Sequence, residues 1–289
     1  MDNKKFGRNY ILTVESVDGS SITIQPPFTL EFDITRNTLS SANVASFRIY
    51  NLNENSRNQI RKDQNDSLNL KKISFLCGYG KQLSVVLSGN IDIAWSERQG
   101  SNFITNIEAY DGGFAFANAI VNQQFSAQTT NKAIIKNLVK NLEKYGVQPG
   151  AIGEYAGAIS RGNSYNGNTA DILAELTNGG FFIDNSKAYA LGDNESLGGE
   201  VQVINSKTGL LGTPVKEQTY VNFNMLFEPR LFLGGIIRIE SETLKAVNTD
   251  YIVKSLHHRG TISEAVGGPA VTTVGCLPGQ FKIVPPERS

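Results

Sequence analysis

Phe28-Thr-Leu-Glu-Phe-Asp-Ile-Thr35, Ser40-Ser-Ala-Asn43 and Ala45-Ser-Phe-Arg-Ile-Tyr50 decide how this chain is read. Phe28, Leu30, Phe32 and Ile34 alternate with Thr29, Glu31, Asp33 and Thr35, which is the period of a strand with one buried face. After the polar turn at 40–43, Ala45, Phe47 and Ile49 alternate with Ser46, Arg48 and Tyr50 in the same way. Asn51-Leu-Asn-Glu-Asn-Ser-Arg-Asn-Gln-Ile60 follows. Asn51 or Asn53 can cap a short helix there, and Leu52 and Ile60 are the apolar residues able to pin it to the sheet. The unit is a strand, a turn, a strand and a capped helical turn. It belongs to a sheet or barrel and carries no chemistry.

Working outward, residues 11–17 and 21–24 flank Asp18-Gly19 and predict a hairpin. Beyond the helical turn, 73–79, 83–87, 91–95 and 103–110 predict four more strands, with Ser88-Gly89 turning the middle pair. About eight antiparallel strands joined by tight glycine turns predict a closed barrel or sandwich. The period changes at Asp111-Gly-Gly113. From 131 to 145 the apolar residues Ile134, Ile135, Leu138, Val139 and Leu142 share one helical face. Lys132, Lys136, Lys140 and Lys144 share the other, which reads as a solvated face, with Thr129 or Thr130 as cap and Gly146 as stop. A Gly-, Ser- and Asn-rich loop over 147–168, a helix at 170–177 capped by Thr169, and a hairpin turning at Asn185-Ser186 complete a small α+β unit. A second β region follows. Gly209-Leu-Leu-Gly-Thr-Pro214 reads as a turn with exposed apolar residues, and Leu226-Phe-Glu-Pro229 breaks a strand. The last hairpin, with its polar loop at His257-His-Arg-Gly260, echoes the plan of the 91–110 hairpin. The fold class expected is therefore mainly β with a small α+β domain: two antiparallel β-barrel domains (1–113 and 200–289) flanking an α+β domain (114–199). The tail, Ile283-Val-Pro-Pro-Glu-Arg-Ser289, is expected to be extended, frayed or docked on a neighbour.

Bulk properties narrow the function. The chain has 289 residues, 40% hydrophobic and 19% charged, ordinary for a folded protein. Its 27 basic and 27 acidic residues cancel, which argues against a protein built to neutralise nucleic-acid phosphates. Residues 1–6 lack the apolar core of a signal peptide and no run is long enough to span a bilayer, so no membrane insertion and cytoplasmic production are expected. Cys77 alternates with Ile73, Phe75 and Tyr79, which predicts a buried free thiol; Cys276 also lies in a strand-like run. Two cysteines make no disulfide framework.

No catalytic, cofactor-binding or metal-binding set emerges. His257 and His258 are neighbours in an expected loop and make a poor metal pair, because adjacent strand residues face opposite ways. Asp92, Glu97, Glu108 and Asp111 lie on one hairpin and its exit, and solvated strand faces account for them better than a glycosidase pair does. No Gly-x-Ser-x-Gly elbow occurs, and the glycine clusters match no phosphate loop.

Three separated stretches, in order, resemble the baseplate hub proteins of tailed bacteriophages (tail hub, or late control protein D-like). They are Ser41 to Ile60; Ser164-Tyr-Asn-Gly-Asn-Thr-Ala-Asp-Ile-Leu-Ala-Glu-Leu-Thr177 with Gly180-Phe-Phe-Ile-Asp184; and Gly209 to Pro214, Leu226 to Pro229 and Tyr251 to Gly260. Thr261 stands where some relatives carry an acid. The resemblance implies a non-enzymatic structural protein and a homotrimer. In that trimer two barrels per subunit would form a ring of six, adapting the six-fold tail tube protein to a three-fold central spike protein. Other baseplate proteins would surround the ring, and DNA would pass through it without specific binding. It implies a place in the virion tail baseplate, assembled in the host cytoplasm. The alternatives are a carbohydrate- or receptor-binding β-protein, which needs clustered exposed aromatics where Trp95 reads as core, or a tail-tip cell-wall hydrolase, which needs a carboxylate pair in a cleft. Leu210, Leu211, Leu226 and Phe227, beside strand breaks, read either as part of a core cap or as contacts with a neighbouring subunit or the spike.

Overall fold

The computed structural model describes residues 5, 7–64, 66, 70–264 and 267–286. β1 (Arg8–Glu15) and β2 (Ser21–Ile24) form the first hairpin, with Gly19 at φ 83° in its turn. β3 (Leu30–Asn37) and β4 (Asn43–Tyr50) pair with Leu30 opposite Ile49 and Phe32 opposite Phe47, so the apolar alternation forms one inner face. α1 (Glu54–Ile60) is capped by Asn53, whose side chain accepts the Ser56 amide at 2.8 Å, and Leu52 and Ile60 are buried as expected. β5 (Lys72–Tyr79), β6 (Gln82–Gln99) and β7 (Asn102–Asp111) complete this region.

β6 departs from the sequence expectation twice. It is one strand of 18 residues, not two strands turned at Ser88-Gly89. A Cβ on Gly89 would fall 2.3 Å from the Tyr110 carbonyl oxygen, so this glycine permits a close backbone approach and makes no turn. Further on, the pairing with β7 slips by one residue between Ile91 and Ile93. This bulge at Asp92 reverses the phase of the strand. Ile91 and Ala94 therefore point into the core, and Trp95, expected there, faces out with 39% of its surface exposed.

The middle of the chain holds α2 (Gly113–Asn118), β8 (Ile120–Phe125), α3 (Asn131–Asn141), β9 (Gln148–Ile152), β10 (Asn163–Asn168), α4 (Thr169–Leu176), β11 (Phe181–Asp184) and β12 (Lys187–Ala190). Thr130 caps α3, a 3-10 turn extends it to Tyr145, and Gly146 stops it at φ 82°. The stretch 147–168 is not a coreless loop, because Val147, Ala151 and Ile152 are buried beside β9. Asn168, one residue before the expected Thr169, caps α4 by accepting the Ala170 amide at 2.8 Å.

β13 (Glu195–Leu197), β14 (Gln202–Ile204), β15 (Leu210–Glu217), β16 (Tyr220–Leu226), β17 (Ile236–Ile239), β18 (Asp250–Ile262), β19 (Ala270–Pro278) and β20 (Lys282–Val284) follow. The expected turn at 209–214 is mostly β15, an edge strand whose pairing shifts between Leu211 and Val215. His257 and His258 lie within β18, not in a loop. The tail returns to its own chain as β20, parallel to β13; residues 287–289 fall outside the described ones.

The class is mainly β, as expected, but the described strands close no barrel. Strands of both β regions join one sheet in the order β15-β16-β19-β18-β3-β4-β7-β6-β5-β1-β2, with β17 and β14 attached at β18. The seam is β18 against β3, running from Ser255 opposite Asn37 to Ile262 opposite Leu30. One core gathers Leu30, Phe32, Ile34, Phe47, Phe75 and their neighbours from the N-terminal strands, together with Phe227 and Ile262 from the C-terminal ones. A second is built mainly from β16 to β19, and a third from the helices with β9, β11 and β12.

Candidate functional site

The alternation that fills the cores leaves an opposite face that runs across eight consecutive strands and is open except around the buried Ile104 and Asn106 of β7. Register fixes its members: Trp95 and Glu97 on β6, Asn106 and Glu108 on β7, Ser46, Arg48 and Tyr50 on β4, Glu31 and Asp33 on β3. It continues over the seam with His257, Arg259 and Thr261 on β18, Val271 and Thr273 on β19, Asn224 and Leu226 on β16, and Leu211 on β15. Cross-strand pairs tie it together. Arg48 donates to Glu31 at 3.1 Å, the Tyr50 hydroxyl donates to Glu31 at 2.9 Å, and His257 Nε2 lies 2.8 Å from Asp33. Four carboxylates (Glu31, Asp33, Glu97, Glu108) face two guanidiniums (Arg48, Arg259), so the face carries an acidic surplus. A cavity of about 530 Å³ lies on the seam between Asp33, Arg48, Arg259 and Val271.

The four apolar residues singled out in the sequence separate. Leu211 and Leu226 are 40% and 41% exposed on this outer face. Leu210 is half-buried against the second core. Phe227 is fully buried: its ring meets Phe32 and His258 edge-on at 5.4 and 5.6 Å, and the Tyr79 hydroxyl donates to its carbonyl at 2.7 Å. Phe227 is thus a core residue of its own chain. Of the two readings of the sequence, Phe227 takes the core one.

The groups weighed for chemistry are scattered. Glu97 and Glu108 are exposed on the outer face, whereas Asp111 is buried. Its carboxylate accepts the Asn185 amide at 2.5 Å and the Ser186 amide at 2.8 Å, so it serves the turn between β11 and β12. His257 and His258 face opposite ways. His258 is buried, Thr272 bonds its Nδ1 at 2.9 Å, and burial with nearby Arg36 pushes its imidazole well below its ordinary pKa. Among the described residues no three His, Cys, Asp or Glu side chains are placed to hold a metal. Cys77 and Cys276 are buried free thiols, and burial raises Cys77 to about 12. Among the described residues no helix is long and apolar enough to cross a membrane. Trp95 does not join Phe103 in an aromatic platform. The two stand three positions apart in register on opposite faces, and Arg57 stacks 3.9 Å from the Phe103 ring centre.

The cluster that sequence reasoning missed joins three parts of the chain. Arg36 on β3 donates through Nε and Nη2 to Asp184 on β11, at 2.8 and 2.6 Å. Asn43 donates to the Ile183 carbonyl at 2.9 Å and lies 3.4 Å from both Asp111 and Asp184. Burial works against the Arg36 guanidinium, but Asp184 outweighs it and holds it above its usual range. Only the sequence position of Arg36, on the alternation of Leu30, Phe32 and Ile34, hinted at its burial.

Comparisons with known proteins agree with one another. A tail protein from Neisseria meningitidis MC58 superposes with a TM-score of 0.62 at 11% identity, covering 96% of this chain and 98% of that one. The 43 kDa tail protein of prophage MuSo2 from Shewanella oneidensis gives 0.60 at 8% identity, covering 93% and 96%. The E. coli c3393 protein, a type VI secretion component described as similar to the T4 tail proteins gp27 and gp5, gives 0.58 at 10% identity, covering 94% and 79%. At such identities these likenesses establish the fold. No curated protein matches the chain in sequence. A family model described as baseplate hub gp41 matches residues 11–261.

Proposed function

This chain belongs to the baseplate hub gp41 family, and from that premise we propose that it is the structural hub of a phage tail, acting as a homotrimer without enzymatic activity. Its family is one of tail structure, and the virion tail is its place. Each subunit contributes its two β regions (1–113 and 200–289) to a ring of six, with the 114–199 unit beside the spike. The ring adapts a six-fold tube to a three-fold spike, and assembly precedes incorporation into the baseplate.

The single observation that carries this reading is the uninterrupted sheet. Pairing of β18 with β3 makes the two β regions one continuous sheet, a wall that three copies could repeat around an axis. The outer face of that wall, polar and acidic, suits a channel through which a polyanion slides, since like charge disfavours sticking. Leu211 and Leu226, at the β15 end of the same face, are proposed as contacts with a neighbouring subunit or the spike. Leu210 and Phe227 anchor that end from within.

Mass measurement in solution tests the reading: three times 31.5 kDa is expected, alone or with the spike, and ring-shaped particles in electron micrographs. A persistent monomer in both conditions would overturn it. Changing Leu211 and Leu226 to Ser should leave the fold intact and weaken assembly; normal assembly would place the contact elsewhere.

A further inference from the structure

The hairpin of β11 and β12 docks onto the first β region through charges that do not balance. Among the described residues Arg36 is the cation bonded in this joint, and Asp184 and Asp111 both border it. All three are buried. Asp184 takes both bonded nitrogens of Arg36, while Arg36 Nη1 has no hydrogen-bond partner. Asp111 therefore holds its charge with two backbone amides, of Asn185 and Ser186, and with the distant Asn43 amide. Fully ionised, the joint carries a surplus negative charge out of contact with water, an arrangement that a buried site relieves by binding a proton. The other titratable groups facing it are Tyr189 on β12 and His258 on β18, and neither supplies a cation at neutral pH.

We propose that the joint between the β11–β12 hairpin and the first β region is a proton-loaded latch, closed most firmly when Asp111 holds a proton. Protonation leaves Arg36 and Asp184 as a neutral pair; of the Asn185 and Ser186 amides, which bond different oxygens of Asp111, one then keeps a carbonyl oxygen and the other meets the hydroxyl oxygen. Burial, then the neighbouring Asp184, push the Asp111 carboxyl up to about 7, against the opposing pull of those two amides and of Arg36. The sign follows from linkage. A carboxyl raised in the closed joint stabilises it fully below its ordinary value of about 3.9, and that stabilisation is lost as pH rises through about 7. The latch thus loosens toward neutral and alkaline pH, freeing the hairpin and the α+β unit it belongs to from the sheet. Titration of His258, lowered by burial, has the opposite sign and cannot produce this loosening.

Hydrogen exchange of the Asn185 and Ser186 amides in the full chain reads the latch directly. Base-catalysed exchange alone rises tenfold per pH unit. An opening linked to one proton adds up to a further tenfold per unit between about pH 5 and 6.5, and the excess fades above about 7. In Asp184→Asn the surplus charge is gone and the excess should vanish. A plain tenfold slope in the unaltered protein overturns the proposal. So does an excess that persists undiminished in Asp184→Asn. If that variant does not fold, the slope of the unaltered protein decides by itself.

Discussion

Truncating Phe227 to Ala tests whether the two β regions are one folding unit. Phe227 follows β16, in the C-terminal region, yet its ring sits in the N-terminal core against Phe32, with Tyr79 6.4 Å away and His258 behind it. Nothing can collapse cheaply into the gap, because Phe32 also packs on Phe75 at 5.4 Å and is held in the sheet on both sides. A Phe to Ala change in such a core costs about 3–5 kcal/mol. For a chain of this size that is a melting shift on the order of 10 °C. Urea unfolding followed by tryptophan fluorescence is a suitable assay, because Trp95 lies in the N-terminal region, far along the chain from the mutation. The transition reported there should move with the whole-chain transition seen by circular dichroism. A cost below about 1 kcal/mol would refute the core assignment. A large cost that leaves the Trp95 transition unmoved would refute the coupling of the two regions.

Three further outcomes are expected. Cys77 and Cys276, buried with thiols raised by that burial, should react with a thiol reagent only on unfolding, so rapid labelling of the native chain would contradict their placement. Gly89→Ala drives a methyl into the Tyr110 carbonyl and should destabilise by about 1–3 kcal/mol, measured by thermal melting, where a true turn glycine with φ below zero would tolerate it. His258→Leu should flatten acid unfolding. A buried imidazole lowered below its ordinary value of about 6.5 stabilises above that pH and loses the effect as pH falls, so between pH 7 and 4 the midpoint of the parent should fall further than that of the variant.

What was legible in the sequence is what local periodicity encodes. β3, β4 and α1, with Asn51 or Asn53 as its cap, and α3 with its lysine face, stood out because their buried residues recur at fixed spacing over one or more turns or pleats. Where one residue breaks the period, the reading failed. The bulge at Asp92 turned Trp95 outward, and Gly89 imitated a turn because a close backbone approach and a tight turn ask for the same residue. The Arg36, Asp184 and Asp111 joint was out of reach for another reason: its bonded partners lie from 68 to 148 residues apart, and no local pattern marks a charge that is buried because it is paired.

The seam between β18 and β3 joins the two β regions in one sheet, and this matters for assembly. Each β region alone has enough strands to close, and sequence-adjacent hairpins favour doing so. Closure would have left both regions as independent rings joined by the α+β unit, free to tilt against each other. Instead β3 spends its free edge on β18, over eight paired positions from Ser255 to Ile262. Side-chain alternation must then stay in phase across the seam, and it does: His258 lies opposite Ile34 on the core side, while Arg259 lies opposite Asp33 on the outer side. A one-residue slip would bury Arg259 and expose His258 and Ile262, so the register is enforced by both cores at once. The angle between the two β regions is consequently set by hydrogen bonds within the subunit, before any neighbour arrives. The main path of the sheet leaves β15 open at one end and β2 at the other, and Leu211 on β15 and Leu226 on the adjacent β16 lie exposed at the first of these ends, where an unpaired edge is available to a neighbour.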